Sequence, residues 1–147
     1  MISLRPATVD DLAEVLPRTR ALNDHEGITI STEALATALQ GLLLDRSLGG
    51  VWHVVRGERN IGYAIVTFGY DLEFGGRDAW LTELWIDEAE RGVGAGAAAL
   101  EAMATELTAR GIKALHLQAR PENPAVRLYE RAGFATSPRR VLTRRLG

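Results

Sequence analysis

The sequence predicts an α+β fold in three layers, a mixed, mostly antiparallel sheet with helices on both faces. Three observations predict it. Between residues 51 and 87, three β-branched and aromatic stretches follow one another with turn residues between them, the texture of an antiparallel meander. A strand–helix–strand unit follows, and parallel pairing is expected only between the strands flanking its helix at 93–110. Two amphipathic helices precede the meander, and 147 residues with neither linker nor internal repeat fit one domain, 1–147.

In chain order, Ile2 to Arg5 reads as a short strand stopped by Pro6. Thr8 then caps a helix whose first turn carries Asp10 and Asp11, acids that complement the helix dipole. Leu12, Val15, Leu16, Thr19 and Leu22 recur at helical spacing. A second helix starts at Ser31, buries Leu35, Leu39 and Leu42, and ends before Gly49-Gly50. Val51 to Arg56 and Ile61 to Phe68 are strands joined by the turn Gly57-Glu58-Arg59-Asn60. A longer loop with Asp71, Glu73, Gly75, Gly76 and Asp78 leads into the third strand, Ala79 to Asp87. On that strand alternation puts Glu83 on one face with Leu81 and Trp85. Beyond a glycine-rich turn, Val93, Ala97, Leu100, Ala104 and Leu107 mark an amphipathic helix that Gly111 caps. Ala114 to Ala119 is a strand with Leu115 and Leu117 on one face and His116 on the other. Asn123 and Pro124 open a short helix through Tyr129 to Gly133, and Phe134 to Leu146 alternates as a final strand or hairpin.

Composition removes several function classes. Without cysteine there is no disulfide framework, thiolate nucleophile or iron–sulfur cluster. His25, His53 and His116 form no H-x-x-H pair, so no metal is expected. The N-terminus lacks a signal peptide and the apolar runs are too short for a bilayer, so a cytoplasmic protein without a membrane partner is expected. A net charge of −2 and nine aromatic residues argue against nucleic-acid binding.

The strongest local signal is Arg91-Gly92-Val93-Gly94-Ala95-Gly96 between a strand and an Ala-rich helix. Glycines there let backbone N–H groups converge at a helix N-terminus, which suits a phosphate or pyrophosphate; the alternative is a tight strand-to-helix connection. The turn lacks the Lys-Ser or Lys-Thr of a Walker loop and the G-x-G-x-x-G of a dinucleotide fold, which weakens both nucleotide readings.

This turn after a strand bearing Glu83, with Asn123-Pro124-Ala125 and Leu128-Tyr129-Glu130-Arg131-Ala132-Gly133-Phe134 further on, resembles the GNAT superfamily of acyl-CoA-dependent N-acetyltransferases. Leu4-Arg5-Pro6-Ala7 followed by Asp10-Asp11 resembles that superfamily's opening strand and helix, so the likeness covers nearly the whole chain. The resemblance implies a GNAT-type sheet, acetyl-CoA as cosubstrate, and a homodimer as a common assembly. It implies that Arg91, Gly92, Val93, Gly94, Ala95 and Gly96 hold the CoA pyrophosphate through backbone amides. Leu84, Trp85 and Ile86 would pair edge-on with the pantetheine amides, a form of β-augmentation. Asn123 would contact the pantetheine arm, although the family's Asn often stands seven residues before the Tyr, here Glu122, which leaves helix capping as the other role of Asn123.

An amine with a pKa near 10.4 is almost wholly protonated at neutral pH, so acyl transfer to it needs a base. Glu83 between apolar neighbours is the candidate, acting directly or through water, because desolvation raises a carboxyl pKa. A backbone N–H near Trp85 or Ile86 would face the oxyanion, and the resemblance makes Tyr129 the acid that meets the leaving thiolate. Without a cysteine to carry the acyl group, direct attack in a ternary complex is expected. Asp71, Glu73 and Asp78 would attract a cationic acceptor, a small amine or a peptide, or else form a solvated acidic turn. Two other classes stay open: a catalytically silent CoA-binding regulatory module, and a nucleotide-binding protein using the same turn.

Overall fold

In the computed structural model, which describes residues 1–147, the strands form one sheet in the order β1-β2-β3-β4-β5. The strands are β1 (Ile2–Pro6), β2 (Gly49–Arg56), β3 (Arg59–Asp71), β4 (Gly76–Ile86) and β5 (Ala114–Leu117). The first three pairings are antiparallel and β4–β5 is parallel, the one parallel pair flanking a helix. The helices are α1 (Leu12–His25), α2 (Thr32–Leu44), α3 (Ala95–Ala109) and α4 (Val126–Arg131). None is long and apolar enough to cross a membrane.

Alternation along the strands divides the core between two helical layers. Trp52, Ala64, Val66, Ala79 and Leu81 face Leu100, Met103 and Leu107 of α3, and Leu128 and Tyr129 of α4 pack against the same cluster. On the opposite face Val51, Tyr63 and Ile65 meet Val15 of α1 and Leu39 of α2. Each large apolar side chain so buried contributes roughly 1.5–3 kcal/mol, which holds the helices down on a sheet they could not leave without exposing it.

The helix ends follow from their sequences. The Ser31 hydroxyl accepts from the Ala34 N–H at 3.1 Å and starts α2. Gly111, at φ 77°, follows α3 and allows the Ile112 N–H to reach the Leu107 carbonyl at 3.1 Å.

The structure corrects three expectations. Thr8 opens a separate 3-10 turn, Val9–Asp11, before α1, and its N–H donates to the Asp11 carboxylate at 2.9 Å. The acidic loop is a hairpin end: β3 runs to Asp71, a turn covers Leu72–Phe74, and β4 begins at Gly76, so Asp78 is a strand residue. No strand forms after α4, and residues 134–147 are irregular. That tail carries Pro138, which has no N–H to donate, and two exposed Arg pairs, and its tether is the ion pair of Arg139 with Glu73 at 2.7 Å.

Candidate active site

A cleft opens where β4 parts from β5. The two strands pair only from Asp78 with Ala114 to Leu81 with Leu117. On the other side Ile65 opposes Glu83 while Val66 opposes Leu81, so Thr82 is an extra residue bulged out of β4. Its hydroxyl donates to the Ile65 carbonyl at 3.3 Å. Past the bulge β4 continues along β3 alone. The gap is a cleft of about 580 Å³ whose lining includes Glu26, Trp80, Glu83, Leu84, Asn123 and Tyr129.

The bulge also turns Glu83 over. Strict alternation would set it on the face of Leu81, but the inserted residue leaves Leu84 and Ile86 on the α3 side with Leu81. Glu83 and Trp85 therefore point to the α1 side, where the Tyr63 hydroxyl donates to Glu83 Oε1 at 2.6 Å. Tyr63 is fully buried. Burial raises the Glu83 carboxyl pKa, and the Tyr63 hydrogen bond draws it back down in part. Burial, with the Glu83 charge beside it, raises the Tyr63 phenol far above its ordinary value.

The free edge of β4 is selective. The Asp87 N–H bonds to the Ile61 carbonyl at 2.7 Å, and Tyr63 opposes Trp85 two positions earlier, so the Trp85 backbone groups turn toward β3. Leu84 and Ile86, out of phase, turn toward the cleft side; the Ile86 carbonyl already accepts from Arg91 Nε at 2.7 Å. The edge thus offers Leu84 and Ile86 rather than a continuous run through Trp85. Arg91 folds back with its guanidinium 4.5 Å from the Trp85 ring centre.

Beyond Arg91 the turn is exposed through Gly94. Gly92 and Gly94 have φ of 83° and 85°, a left-handed backbone that glycine adopts without strain, and nothing stands within 4 Å of where a Cβ would lie at either. Val93 lies exposed between them, and Ala95 and Gly96 are the first residues of α3. The turn therefore presents open backbone at the N-terminus of a fifteen-residue helix.

On the facing wall, Asn123 Oδ1 accepts from the Ala125 N–H at 2.9 Å, a side-chain turn that precedes α4; the helix begins at Val126 with Ala125 as its N-cap, so Asn123 is not itself the cap expected from the sequence. Tyr129 packs edge-on against Phe134, with ring centres 6.2 Å apart. Burial raises its phenol pKa and the Glu26 charge adds to the rise, so the group stays protonated at neutral pH.

The three acids expected at the acceptor side lie elsewhere. Asp71 caps the hairpin turn by accepting from the Glu73 N–H at 2.9 Å, and Glu73 holds Arg139. Asp78 is 5% exposed and pairs with His116 Nε2 at 3.0 Å. Asp71 opposes Gly76 across the hairpin, seven residues before Glu83, or about 20 Å along a strand. Sequence reasoning missed Tyr63, Glu26 and Arg120, whereas Trp80 is a tryptophan that the sequence offers as core or site lining. Tyr63 is one aromatic in an apolar strand, and Glu26 and Arg120 meet only in space, where Arg120 Nη2 donates to the Glu26 carbonyl at 3.3 Å.

Asp11, Glu14 and His53 also meet, with potential ligand atoms within 4.8 Å of one another. His53 Nε2 lies 3.2 Å from Asp11 Oδ2, but neither ring nitrogen of the buried His53 has a hydrogen-bond partner. Glu14 accepts from the Asn60 amide and lies 3.9 Å from Arg18 Nη1.

Residues 17–134 match the model of the Acetyltransferase (GNAT) family. No curated protein matches the sequence. Among solved structures, an integron cassette protein from the mobile metagenome of Cole Harbour Salt Marsh is similar at 27% identity and a TM-score of 0.85, covering 99% of this chain and 91% of its own. A proposed acetyltransferase from Arthrobacter sp. FB24 is similar at 30% identity and a TM-score of 0.80, with 97% and 95% covered. A third similar structure, at 22% identity and a TM-score of 0.77 with 98% and 96% covered, is a proposed acetyltransferase from Clostridium acetobutylicum solved with acetyl-CoA.

Proposed function

Because the chain belongs to the acetyltransferase (GNAT) family, with acetyl transfer as that family's chemistry, we propose that its cleft moves an acetyl group from acetyl-CoA to a primary amine of a small molecule or peptide by direct attack in a ternary complex. One observation carries the proposal. A desolvated carboxyl group, Glu83, and a protonated phenol, Tyr129, line the same cleft beside an unpaired strand edge.

The residues present fit the cosubstrate. Open backbone at Gly92, Val93, Gly94, Ala95 and Gly96 suits a pyrophosphate, and the free edge of β4 suits a chain bearing amides. Arg91 supports this turn through Ile86 and Trp85. Asn123 shapes the opposite wall through its turn hydrogen bond from the Ala125 N–H.

Bound acetyl-CoA supplies an acyl group on a leaving thiol whose ordinary pKa is about 8.5. Glu83 takes a proton from the acceptor ammonium, directly or through a water, and frees its lone pair. The Leu84 N–H, turned toward the cleft, faces the oxygen that gathers negative charge as the amine adds. Tyr129 donates to the departing sulfur. The acylated nitrogen sheds its remaining extra proton to the Tyr129 phenolate, which returns Tyr129 to the phenol its burial favours, and Glu83 releases its proton to solvent before the next turnover.

The test is thiol release from acetyl-CoA across a panel of primary amines, repeated with Glu83→Gln. The variant is expected to lose roughly 10²–10⁴-fold in kcat/KM near pH 7 and much less at pH 10, where the amine deprotonates unaided. A variant whose pH–rate profile matches the native one removes Glu83 as base. Failure of every amine, with acetyl-CoA still bound, would favour a regulatory module instead.

A further inference from the structure

We propose that Tyr63 is the positioning residue of this cleft, its phenol fixing the Glu83 carboxylate on the wall where an acceptor amine enters; the proposal rests on the reading of Glu83 as base. Three observations carry it. The Tyr63 hydroxyl donates to Glu83 Oε1 at 2.6 Å, and this is the only hydrogen bond the structure gives that carboxylate. Tyr63 itself is fully buried, its ring packed among Val15, Leu39, Val51 and Ile65, so its hydroxyl has one place to point. The bulge at Thr82 is what turns Glu83 toward it.

A glutamate on a strand has several rotamers, and only those reaching into the cleft serve a proton transfer. A donor anchored in the core selects among them through one oxygen and leaves Oε2 without a protein donor. A buried phenol needing only an acceptor would be satisfied by a backbone carbonyl; here it meets the one carboxylate whose protonation the reaction depends on. The other charged and titratable groups around Glu83 come from elsewhere: Glu26, Arg120 and Tyr129 line the same cleft. His25 packs edge-on against Trp85 at 6.3 Å, and Arg91 lies over that ring from the other side of the chain. None of these is hydrogen-bonded to Glu83, so its orientation depends on Tyr63.

The decisive measurement is the titration of Glu83 by NMR in protein labelled with ¹³C at the glutamate carboxyl, which needs neither acetyl-CoA nor an amine. The signal is assigned by its loss in Glu83→Gln. In Tyr63→Phe the carboxylate loses a donor to its charged form, so its midpoint is expected to rise by about one pH unit. Replacing Tyr63 site-specifically with 3-fluorotyrosine, a stronger donor of the same shape, is expected to lower the midpoint and keeps the test alive if phenylalanine unfolds the core. A midpoint unmoved in either folded variant overturns the proposal while leaving Glu83 as base untouched. Conversely, an unchanged pH–rate profile in Glu83→Gln removes the catalytic meaning of the contact even if the titration moves.

Discussion

Glu83 carries an electrostatic burden that can be read in stability as well as rate. Its pKa in the folded protein is raised by burial, so the native state holds that proton more tightly than the unfolded chain does. The corresponding stability is fully present below the unfolded glutamate value and is lost as pH rises through the folded one. Glu83→Gln removes the charge yet keeps an oxygen for the Tyr63 hydroxyl. Its thermal midpoint is therefore expected to exceed that of the native protein by more at pH 8 than at pH 4; an equal difference at both would contradict the burial argument. Tyr129 is the second residue with a separable role. Tyr129→Phe is expected to cut turnover by at least about tenfold while changing acetyl-CoA affinity little, because in the proposed mechanism the hydroxyl acts only as the sulfur leaves. Equal turnover in steady-state assays would remove it as the acid. Both candidates stand out in the sequence, Glu83 as a carboxylate in an apolar strand and Tyr129 through the motif that resembles the family's, and the structure lines one cleft with both. Tyr63 does not stand out, since an unbroken apolar strand gives no sign that one hydroxyl will find a carboxylate twenty residues away.

At the level of elements, β4 decides the site. Its register against β3 is interrupted once, at Thr82, and no residue type in Leu81-Thr82-Glu83 announces a bulge. Reading the pattern with period 2 located the strand and rightly grouped Glu83 with Trp85, but wrongly put Leu81 on the same face, because one inserted residue reverses every later side chain relative to those before it. The same strand passes very close to β3 at Gly62, where an added Cβ would lie 2.0 Å from the Trp85 carbonyl oxygen. Gly62→Ala must push the hairpin apart between Tyr63 and Trp85. It is expected to cost about 1–3 kcal/mol or more, several degrees in thermal unfolding, and to disturb Glu83 with it. A native-like midpoint would mean that the close approach is softer than drawn. The hairpin, the helices and the Ser31 and Gly111 caps were foreseen because each depends on local spacing. The final strand was expected from alternation alone, and alternation cannot supply a partner for a tail with Pro138 and four arginines.

For the whole molecule, the cleft exists because five strands and two helical layers come to one seam. The acidic hairpin end and the basic tail meet through Glu73 and Arg139, away from that seam, and offset each other within the net charge of −2. Ligand binding across the seam should stabilise the fold as a unit. At about a hundred times its dissociation constant, acetyl-CoA is expected to add about 2.7 kcal/mol, or roughly 5–10 °C by differential scanning fluorimetry. ATP and NAD at the same concentration should not match it; a larger shift with either would point to the nucleotide-binding alternative. By itself the sequence determined the order of nearly every element, the parallel pair around the third helix and the glycine turn. These are properties of spacing and residue type, which a chain carries before it folds. Only the tertiary structure decided which way Glu83 faces, that Tyr63 holds it, that the Leu84 and Ile86 backbones turn outward while that of Trp85 does not, and that Asp71, Glu73 and Asp78 stand apart. Those depend on strand register and a single bulge, and register is set by contacts between segments that no local pattern encodes.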